Sequence, residues 1–405
     1  MHQIVNILRK LLTLAKKHIN HRFISGILIT VASLILLLWR LVSLTNGRIS
    51  SNEAITKHLL FVDSSWNKIL SNIYGPYYLL LHISFTINHS IWAFRIASVV
   101  TGLLCAIALY WMISLWHGYK IATLALLMLL TNLGFLALAR QASPIISQLL
   151  MLTTLVIATV LLRTKKNIKA IIFLVCAVGF SLYVPGGIWF AITALILTIT
   201  QIREIVASKP IINKMLLPMI TIVLALPILF HLVTNYSSTL IKNWLGYGLG
   251  SHGQLNSFFS NFIHTPLNLF IYSDLSPSFG IKHIPLIPIS FSLIILIGTI
   301  YYIRRIKNWH WRNILIFILL SWIISGFGVI SSIVSLPLLD IAFATGLAYM
   351  LKEWYQVFPR NHLVRFIGLA LITTVVLLTS FYSGRSYFVA WAYNPNVTSM
   401  FSRKL

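Results

Sequence analysis

Acidic side chains are scarce in this 405-residue chain, which has six Asp and Glu residues against 31 Lys and Arg residues. Glu53 lies in the run Ser50-Ser-Asn-Glu-Ala54, just after the first apolar segment. A glutamate can act as general base on a hydroxyl group when it comes within hydrogen-bond reach. The alternative is a structural acid near a helix N-terminus that pairs with Lys57, four residues on. Glu53 is therefore the candidate catalytic residue, with the structural alternative still open.

Two arginines have unusual surroundings. Arg140 begins the turn Arg140-Gln-Ala-Ser-Pro144, in which Ser143 is suited to cap the next helix and Pro144 to open it. An arginine beside a helix N-terminus is a good anion site, although an interfacial arginine can also contact lipid headgroups. Arg95 lies inside the apolar stretch 91–113, where a charge is costly and usually partnered. A structural ion pair, or an arginine bound to carbonyl groups, is the favoured interpretation of Arg95.

The sequence predicts no metal site. His58, His82 and His89 share one polar segment, but their irregular spacing favours ordinary interfacial histidines over ligands. Cys105 and Cys176 both lie in apolar runs, which argues against a disulfide framework or a thiolate zinc site.

The composition is that of a membrane protein, because 58% of the residues are hydrophobic and 9% are charged, whereas soluble domains carry roughly 25% charged residues. Helices are the expected spanning form. We predict an all-α, polytopic bundle of about 11 transmembrane spans. The predicted spans are 23–42, 92–113, 121–139, 144–162, 168–185, 188–204, 215–234, 285–303, 313–333, 337–353 and 366–383. The net charge of +25 falls mainly in short segments between these spans, so it indicates topology and predicts no nucleic-acid partner.

The basic segments place the N-terminus in the cytoplasm and the C-terminus outside, in the plasma membrane. The first apolar run lacks a cleavage site and is expected to stay as a span. Two outer segments are long, 43–91 and 235–284. The first contains a short apolar helix from Pro76 that is suited to the membrane interface, and the second is expected to form an ordered or semi-ordered lid. We expect residues 1–405 to form a single membrane domain.

Several short segments carry a family resemblance. The chain resembles the polyprenyl-phosphate-sugar-dependent glycosyltransferases of the C superfamily, particularly the protein mannosyltransferase and aminoarabinose transferase group. The resemblance rests on Asn52-Glu53-Ala54, Tyr74-Gly75-Pro76-Tyr77-Tyr78, Arg95-Ile-Ala-Ser98 with Gly102, the turn from Ala139 to Pro144, and the helix from Ser335 to Tyr349. Asn52 departs from the pattern, since the family has an acid there. The family's large C-terminal outer domain is also missing, so acceptor recognition is expected from residues 235–284.

The resemblance implies a membrane hexosyl- or pentosyltransferase that moves a sugar, with inversion, from a polyprenyl-phosphate-linked donor to an acceptor on the outer face. It implies that Glu53 orients or deprotonates the acceptor and that Arg140 binds the donor phosphate. Asn52, Asp63 and Arg95 are further candidate site residues. The family's use of a divalent cation is left open, and the cofactor is unknown. The expected partners are the lipid-linked donor, the membrane and a glycan, lipid or protein acceptor. The alternatives are a transporter or flippase of lipid-linked sugars and a non-catalytic member of the same fold.

Overall fold

The computed structural model describes residues 21–45, 47–62, 69, 72–207, 211–235, 237–247, 254–273, 275–328 and 331–401. Within these ranges the chain forms helices and no strand, which confirms the all-α prediction. The first nine helices are α1 His21–Leu38, α2 Ser51–Val62, α3 Gly75–Ile87, α4 Ile91–His117, α5 Tyr119–Thr131, α6 Leu133–Arg140, α7 Ile146–Lys165, α8 Ile168–Ser181 and α9 Gly187–Ala207.

The second part of the chain continues the bundle and contains a short π-helix before its last helix. Its helices are α10 Ile211–Thr234, α11 Ser238–Leu245, α12 Gln254–Phe270, α13 Ile289–Arg304, α14 Trp309–Gly326, α15 Leu336–Val357, α16 His362–Arg385 and α17 Pro395–Met400, with the π-helix Ser386–Trp391 between the last two.

The chain is a multi-pass membrane protein. Among the described residues, six helices are long and apolar enough to cross a bilayer, and the bent pair α5 and α6 makes up to seven. Three shorter apolar helices lie over residues 168–181, 219–234 and 289–304. Each of the eleven predicted spans coincides with a helix or with this bent pair, and eleven as the number of crossings stays a prediction.

One predicted span is not a straight helix. The segment predicted over 121–139 bends by 69° between α5 and α6. Asn132 stands at the break, where its side chain accepts a hydrogen bond from the Phe135 amide and donates one to the Leu286 carbonyl. This asparagine therefore caps α6 and ties the bend to the loop before α13. Because α6 ends at Arg140, the bend determines where that arginine lies.

The helices of the bundle centre pack closely. α15 packs against α13, α5 and α4, and most of its first half is buried. Gly298 of α13 and Gly346 of α15 leave no room for a Cβ atom, because the backbones of the two helices are in contact there. Gly102 of α4 has a similar role, since a Cβ atom would lie 2.8 Å from the Cβ of Ala139 on α6. Small residues thus bring α4 and α6 together beside the turn at 140–144.

The segments 43–91 and 235–284, called the first and second outer segments after their predicted side, both contain helices. The first holds α2 and α3, and Pro76 lies in the first turn of α3, as predicted. The second holds α11 and α12, and Trp244 of α11 donates its indole N–H to the Leu182 carbonyl at 2.7 Å. The predicted lid is therefore helical and packed on the bundle within its described residues.

Candidate functional site

Glu53 lies in the first turn of α2 and is 1% exposed. Its backbone amide donates to the Ser50 hydroxyl at 3.2 Å, and its Oε2 accepts from the Ser50 amide at 2.9 Å. This reciprocal arrangement is a capping box, which explains why Ser50 and Glu53 begin a helix here. The same local structure points the carboxylate into the protein instead of toward solvent.

Arg95 of α4 is the ionic partner of this carboxylate. Its Nε donates to Glu53 Oε1 at 2.8 Å and its Nη2 to Oε2 at 3.0 Å. Its Nη1 donates to the Leu41 carbonyl at 2.8 Å and to the Thr45 hydroxyl at 2.9 Å, and its Nη2 also donates to the Arg48 carbonyl at 2.9 Å. These five bonds use all five guanidinium donors. Arg95 therefore fastens the end of α1 and the start of the first outer segment to α4.

The hydrogen-bonding positions of the Glu53 carboxylate are also all used. Besides its bonds to Arg95 and Ser50, Oε1 accepts from the Ala142 amide at 3.0 Å. An ionised carboxylate offers about four lone-pair positions, and these four bonds fill them. Glu53 therefore links α2, α4 and the turn after α6. The structure places the sequence-predicted Glu53 and Arg95 in direct contact, across 42 residues of sequence.

Arg140 is the second buried arginine at this end of the bundle and is 2% exposed. Its Nη2 donates to the Trp39 carbonyl, and its guanidinium lies 5.1 Å from the Tyr387 ring centroid and 4.8 Å from that of Phe388. Its Nε and Nη1 have no hydrogen-bond partner among the described residues. Buried donors are almost always satisfied, so two donor nitrogens left open on a buried cation indicate a place for an anion.

Two further arginines line a cavity of about 150 Å³ next to these side chains. Arg40 and Arg48 lie on its wall with the Thr45 hydroxyl, which also accepts from Arg95. The other wall is the C-terminal segment, with Trp391, Tyr393 and Thr398. None of the described residues lining this cavity is acidic. We call Arg40, Arg48, Arg95 and Arg140 the arginine cluster. Among the described residues, Glu53 is the one carboxylate bound to the cluster, and the four arginines with this glutamate carry net positive charge.

Asn52 faces the second outer segment. It is half-buried, and its Nδ2 donates to the Ser278 hydroxyl at 3.3 Å. Gln141 donates to the Ser278 carbonyl at 3.0 Å, and the Ser278 hydroxyl also contacts Met400 Sδ of α17 at 3.6 Å. Residues around Ser278 therefore join Asn52, the turn after α6 and the C-terminal helix.

Tyrosine and serine side chains hold α3 against this site. The Tyr77 hydroxyl lies 2.7 Å from that of Ser98 on α4, and the Ser98 hydroxyl accepts from the Ser143 amide at 3.2 Å. Burial raises the pKa of Tyr77, and it raises the pKa of Tyr78 to about 12. Both phenols are therefore neutral at physiological pH, and Tyr77 acts as a structural hydrogen-bonding group.

Two sequence expectations are not addressed by this geometry. Asp63 lies outside the described residues. Within those residues, no group of three or more His, Cys, Asp or Glu side chains could hold a metal ion. The use of a divalent cation therefore stays an open alternative, as in the sequence analysis.

Sequence reasoning missed the C-terminal segment as part of the site. Trp391 donates its indole N–H to the Pro277 carbonyl at 2.9 Å and stacks on Tyr387 at 4.8 Å between ring centroids. Phe388 packs on Trp39 at 4.9 Å. The available signal was the concentration of aromatic residues directly after the last apolar run. Arg40 and Arg48 were also missed, because basic residues at the end of a span resemble ordinary interfacial ones.

The fold is similar to that of the solved structures of ArnT and the oligosaccharyltransferase AglB, which agrees with the fold that the sequence resemblance implied. No protein-family model and no curated protein matches the chain. Among solved structures it is similar to ArnT from Cupriavidus metallidurans in the apo state, with a TM-score of 0.54, 12% identity, and coverage of 92% of this chain and 76% of that chain. The same values hold for ArnT bound to undecaprenyl phosphate.

A third similar structure is the archaeal oligosaccharyltransferase AglB from Archaeoglobus fulgidus, in complex with an inhibitory peptide and a dolichol-phosphate. Its TM-score is 0.57 and its identity 12%, and the match covers 96% of this chain but 57% of the AglB chain. The present chain thus spans little more than half the length of AglB.

Proposed function

We propose that this protein is a membrane glycosyltransferase that takes its sugar from a polyprenyl-phosphate-linked donor. The observation that carries the proposal is Arg140 in the arginine cluster, a buried guanidinium whose Nε and Nη1 have no hydrogen-bond partner in the described part of the chain. A lipid phosphate supplies the anion that this arrangement lacks. The fold supports the same conclusion, because ArnT and AglB, which share it, were solved with undecaprenyl phosphate and dolichol-phosphate respectively.

In the proposed reaction, an acceptor hydroxyl or amine attacks the anomeric carbon of the sugar. The bond from that carbon to the phosphate oxygen breaks, the phosphate leaves with the electron pair, and the acceptor proton passes to water or to the phosphate. Arg140 stabilises the negative charge that develops on the leaving oxygen. Removing one preorganised donor of this kind typically costs about 10²–10³ in rate. A single displacement of this kind inverts the anomeric centre.

Glu53 has a positioning role in this proposal. The general-base role predicted from the sequence requires one of its four hydrogen bonds to break, whereas those bonds already order the site. By binding Arg95 and the Ala142 amide, Glu53 fixes the first outer segment against the turn that carries Arg140. The glutamate therefore acts through the arginine cluster.

Asn52 is the side chain we assign to the acceptor. It is half-exposed beside Glu53, and its amide can hold a hydroxyl or amine in place. An amide does not take a proton at neutral pH, so transfer depends mainly on stabilisation of the leaving phosphate. A hexose and a pentose donor are both compatible with this chemistry.

The test is sugar transfer from radiolabelled polyprenyl-phosphate sugars to extracted membrane acceptors in reconstituted vesicles. We expect Arg140→Gln to lower the transfer rate about 10²-fold. The matched control is Arg203→Gln, which removes an exposed positive charge at the end of α9 and leaves transfer unchanged. Wild-type protein that binds the donor without turnover indicates the non-catalytic alternative. Label that crosses the bilayer without transfer indicates a transporter or flippase, and either result overturns the proposal.

A further inference from the structure

A second cavity lies at the opposite end of α4 from the arginine cluster. It has a volume of about 610 Å³ and is bounded by the α4–α5 turn, the second half of α15 and the start of α16. His117, at the end of α4, lines it, and it follows Arg95 by 22 residues on the same helix. At 1.5 Å per residue the two ends are about 33 Å apart. The cavity and the arginine cluster therefore lie about one hydrocarbon thickness apart.

The rim of this cavity is cationic. Lys120 at the start of α5 and Lys352 near the end of α15 both line it, and both are exposed. No acidic residue is among the described residues that line it. Glu353, the acid next to Lys352, lines a neighbouring cavity together with Arg304 and Arg305. The two lysines therefore present an uncompensated double positive charge to the cavity.

Polar groups on the same rim complete a site for an anion. Tyr119, Tyr355 and Gln356 line the cavity beside the lysines. The turn residue Gly118 precedes α5 with a φ of 84°, and no side chain caps the first amides of that helix. Uncapped amides at a helix start add to the attraction that the lysines exert on negative charge. The ring of Tyr355 is itself covered by Arg365 at 5.5 Å.

The floor of the cavity is apolar. Ile121, Ala348, Leu351 and Leu369 line it on three different helices. A free anion gains nothing from contact with apolar side chains, whereas the acyl chains of a lipid pack against them. The combination of a cationic rim and an apolar floor, at headgroup depth between transmembrane helices, matches the chemistry of an anionic phospholipid.

We propose that this cavity binds an anionic phospholipid, with the phosphate between Lys120 and Lys352 and an acyl chain along Leu351 and Leu369. The site is separate from the donor site and does not depend on the proposed transferase activity. The bound phospholipid contacts both the α4–α5 turn and the junction of α15 and α16, in the headgroup layer opposite the arginine cluster.

Lipid titration of delipidated protein, followed by native mass spectrometry, tests this proposal. Because the arginine cluster also attracts anions, the titrations are done in wild-type protein and in an Arg140→Gln background. We expect phosphatidylglycerol to bind more tightly than phosphatidylcholine in both. We expect the double variant K120Q/K352Q to weaken phosphatidylglycerol binding by roughly tenfold or more in both, with no change for phosphatidylcholine.

The matched control is K307Q/R360Q, which removes two exposed charges that do not line the cavity. Equal weakening in both double variants, or in neither, overturns the proposal. Inorganic phosphate at millimolar concentration is expected to leave the bound lipid in place, and its displacement would identify an ion site instead. If the double variant does not fold, Lys120→Gln and Lys352→Gln are titrated singly, each with an expected partial loss.

Discussion

At the scale of single residues, the Glu53–Arg95 pair is the best-defined feature of the end of the bundle that carries the arginine cluster. Both side chains are 1% exposed, and all their hydrogen-bonding positions are used. A buried ion pair is held at a large desolvation cost, so removing one partner leaves an uncompensated charge in the interior. The two residues therefore act as one unit, and single substitutions report on the whole unit.

Glu53→Gln is expected to destabilise the protein by about 3–5 kcal/mol, because it leaves Arg95 buried without its counter-charge. The double variant E53Q/R95Q removes both charges and is expected to recover part of the loss. Thermal unfolding in detergent measures both effects. Transfer activity then separates the positioning role of Glu53 from the general-base role. If Glu53 is a positioning residue, the double variant should recover part of the sugar transfer. A double variant that regains stability but transfers no sugar supports the general-base role instead.

Asn52 permits a second test at this scale. Asn52→Asp is isosteric, can keep the contact with Ser278, and introduces a carboxylate with an ordinary pKa near 4, which is ionised at pH 7. Since a positioned base typically contributes about 10²–10⁴-fold, we expect Asn52→Asp to raise the transfer rate. Asn52→Ala is the matched control and is expected to raise the KM for the acceptor. Slower transfer by Asn52→Asp than by wild type contradicts the role we assign to the amide.

At the scale of elements, much of the arrangement could be predicted from the sequence. The apolar runs predicted the long helices, and Pro76 marked the start of α3 correctly. The bend at Asn132 could not be predicted, because hydropathy stays high through 119–140 and the asparagine is explained by Leu286, more than 150 residues away. The pairing of Glu53 with Arg95 was missed for the same reason. Local spacing suggested Lys57, whereas the tertiary fold supplied Arg95 from another helix.

The contact between α4 and α6 gives a prediction at this scale. Gly102→Ala places a Cβ atom 2.8 Å from that of Ala139, and we expect a loss of about 1–3 kcal/mol from overpacking. Ala139→Gly removes the opposing Cβ, so the double variant G102A/A139G is expected to recover most of this stability. Thermal unfolding measures both the loss of stability and its recovery. Because Ala139 precedes Arg140, Gly102→Ala should also lower sugar transfer. An unchanged melting temperature in Gly102→Ala would show that α4 and α6 can move apart without loss of stability, which contradicts the prediction.

At the scale of the whole molecule, the charge distribution fits two different membrane surfaces. One end of the bundle holds the arginine cluster, with Glu53 bound to Arg95, and the other end carries lysines and arginines at the α4–α5 and α13–α14 turns. The sequence predicted this second group as cytoplasmic from the excess of positive charge in short loops. The structure adds that the two groups are at opposite ends of α4, and the orientation itself stays a prediction.

Cysteine labelling in intact cells tests the orientation. The two native cysteines, Cys105 and Cys176, are first replaced by alanine, and a single reporter is then placed at Asn88 or at Lys307, both of which are exposed. Asn88 lies between α3 and α4, and Lys307 between α13 and α14. We expect a membrane-impermeant maleimide to label Asn88→Cys in intact cells and to label Lys307→Cys only after permeabilisation. The reversed pattern would place the arginine cluster in the cytoplasm, where donor and acceptor would have to be sought instead. Labelling of both reporters from outside would contradict the predicted topology, because the seven spans predicted from 92–113 to 285–303 are an odd number and place the two turns on opposite sides.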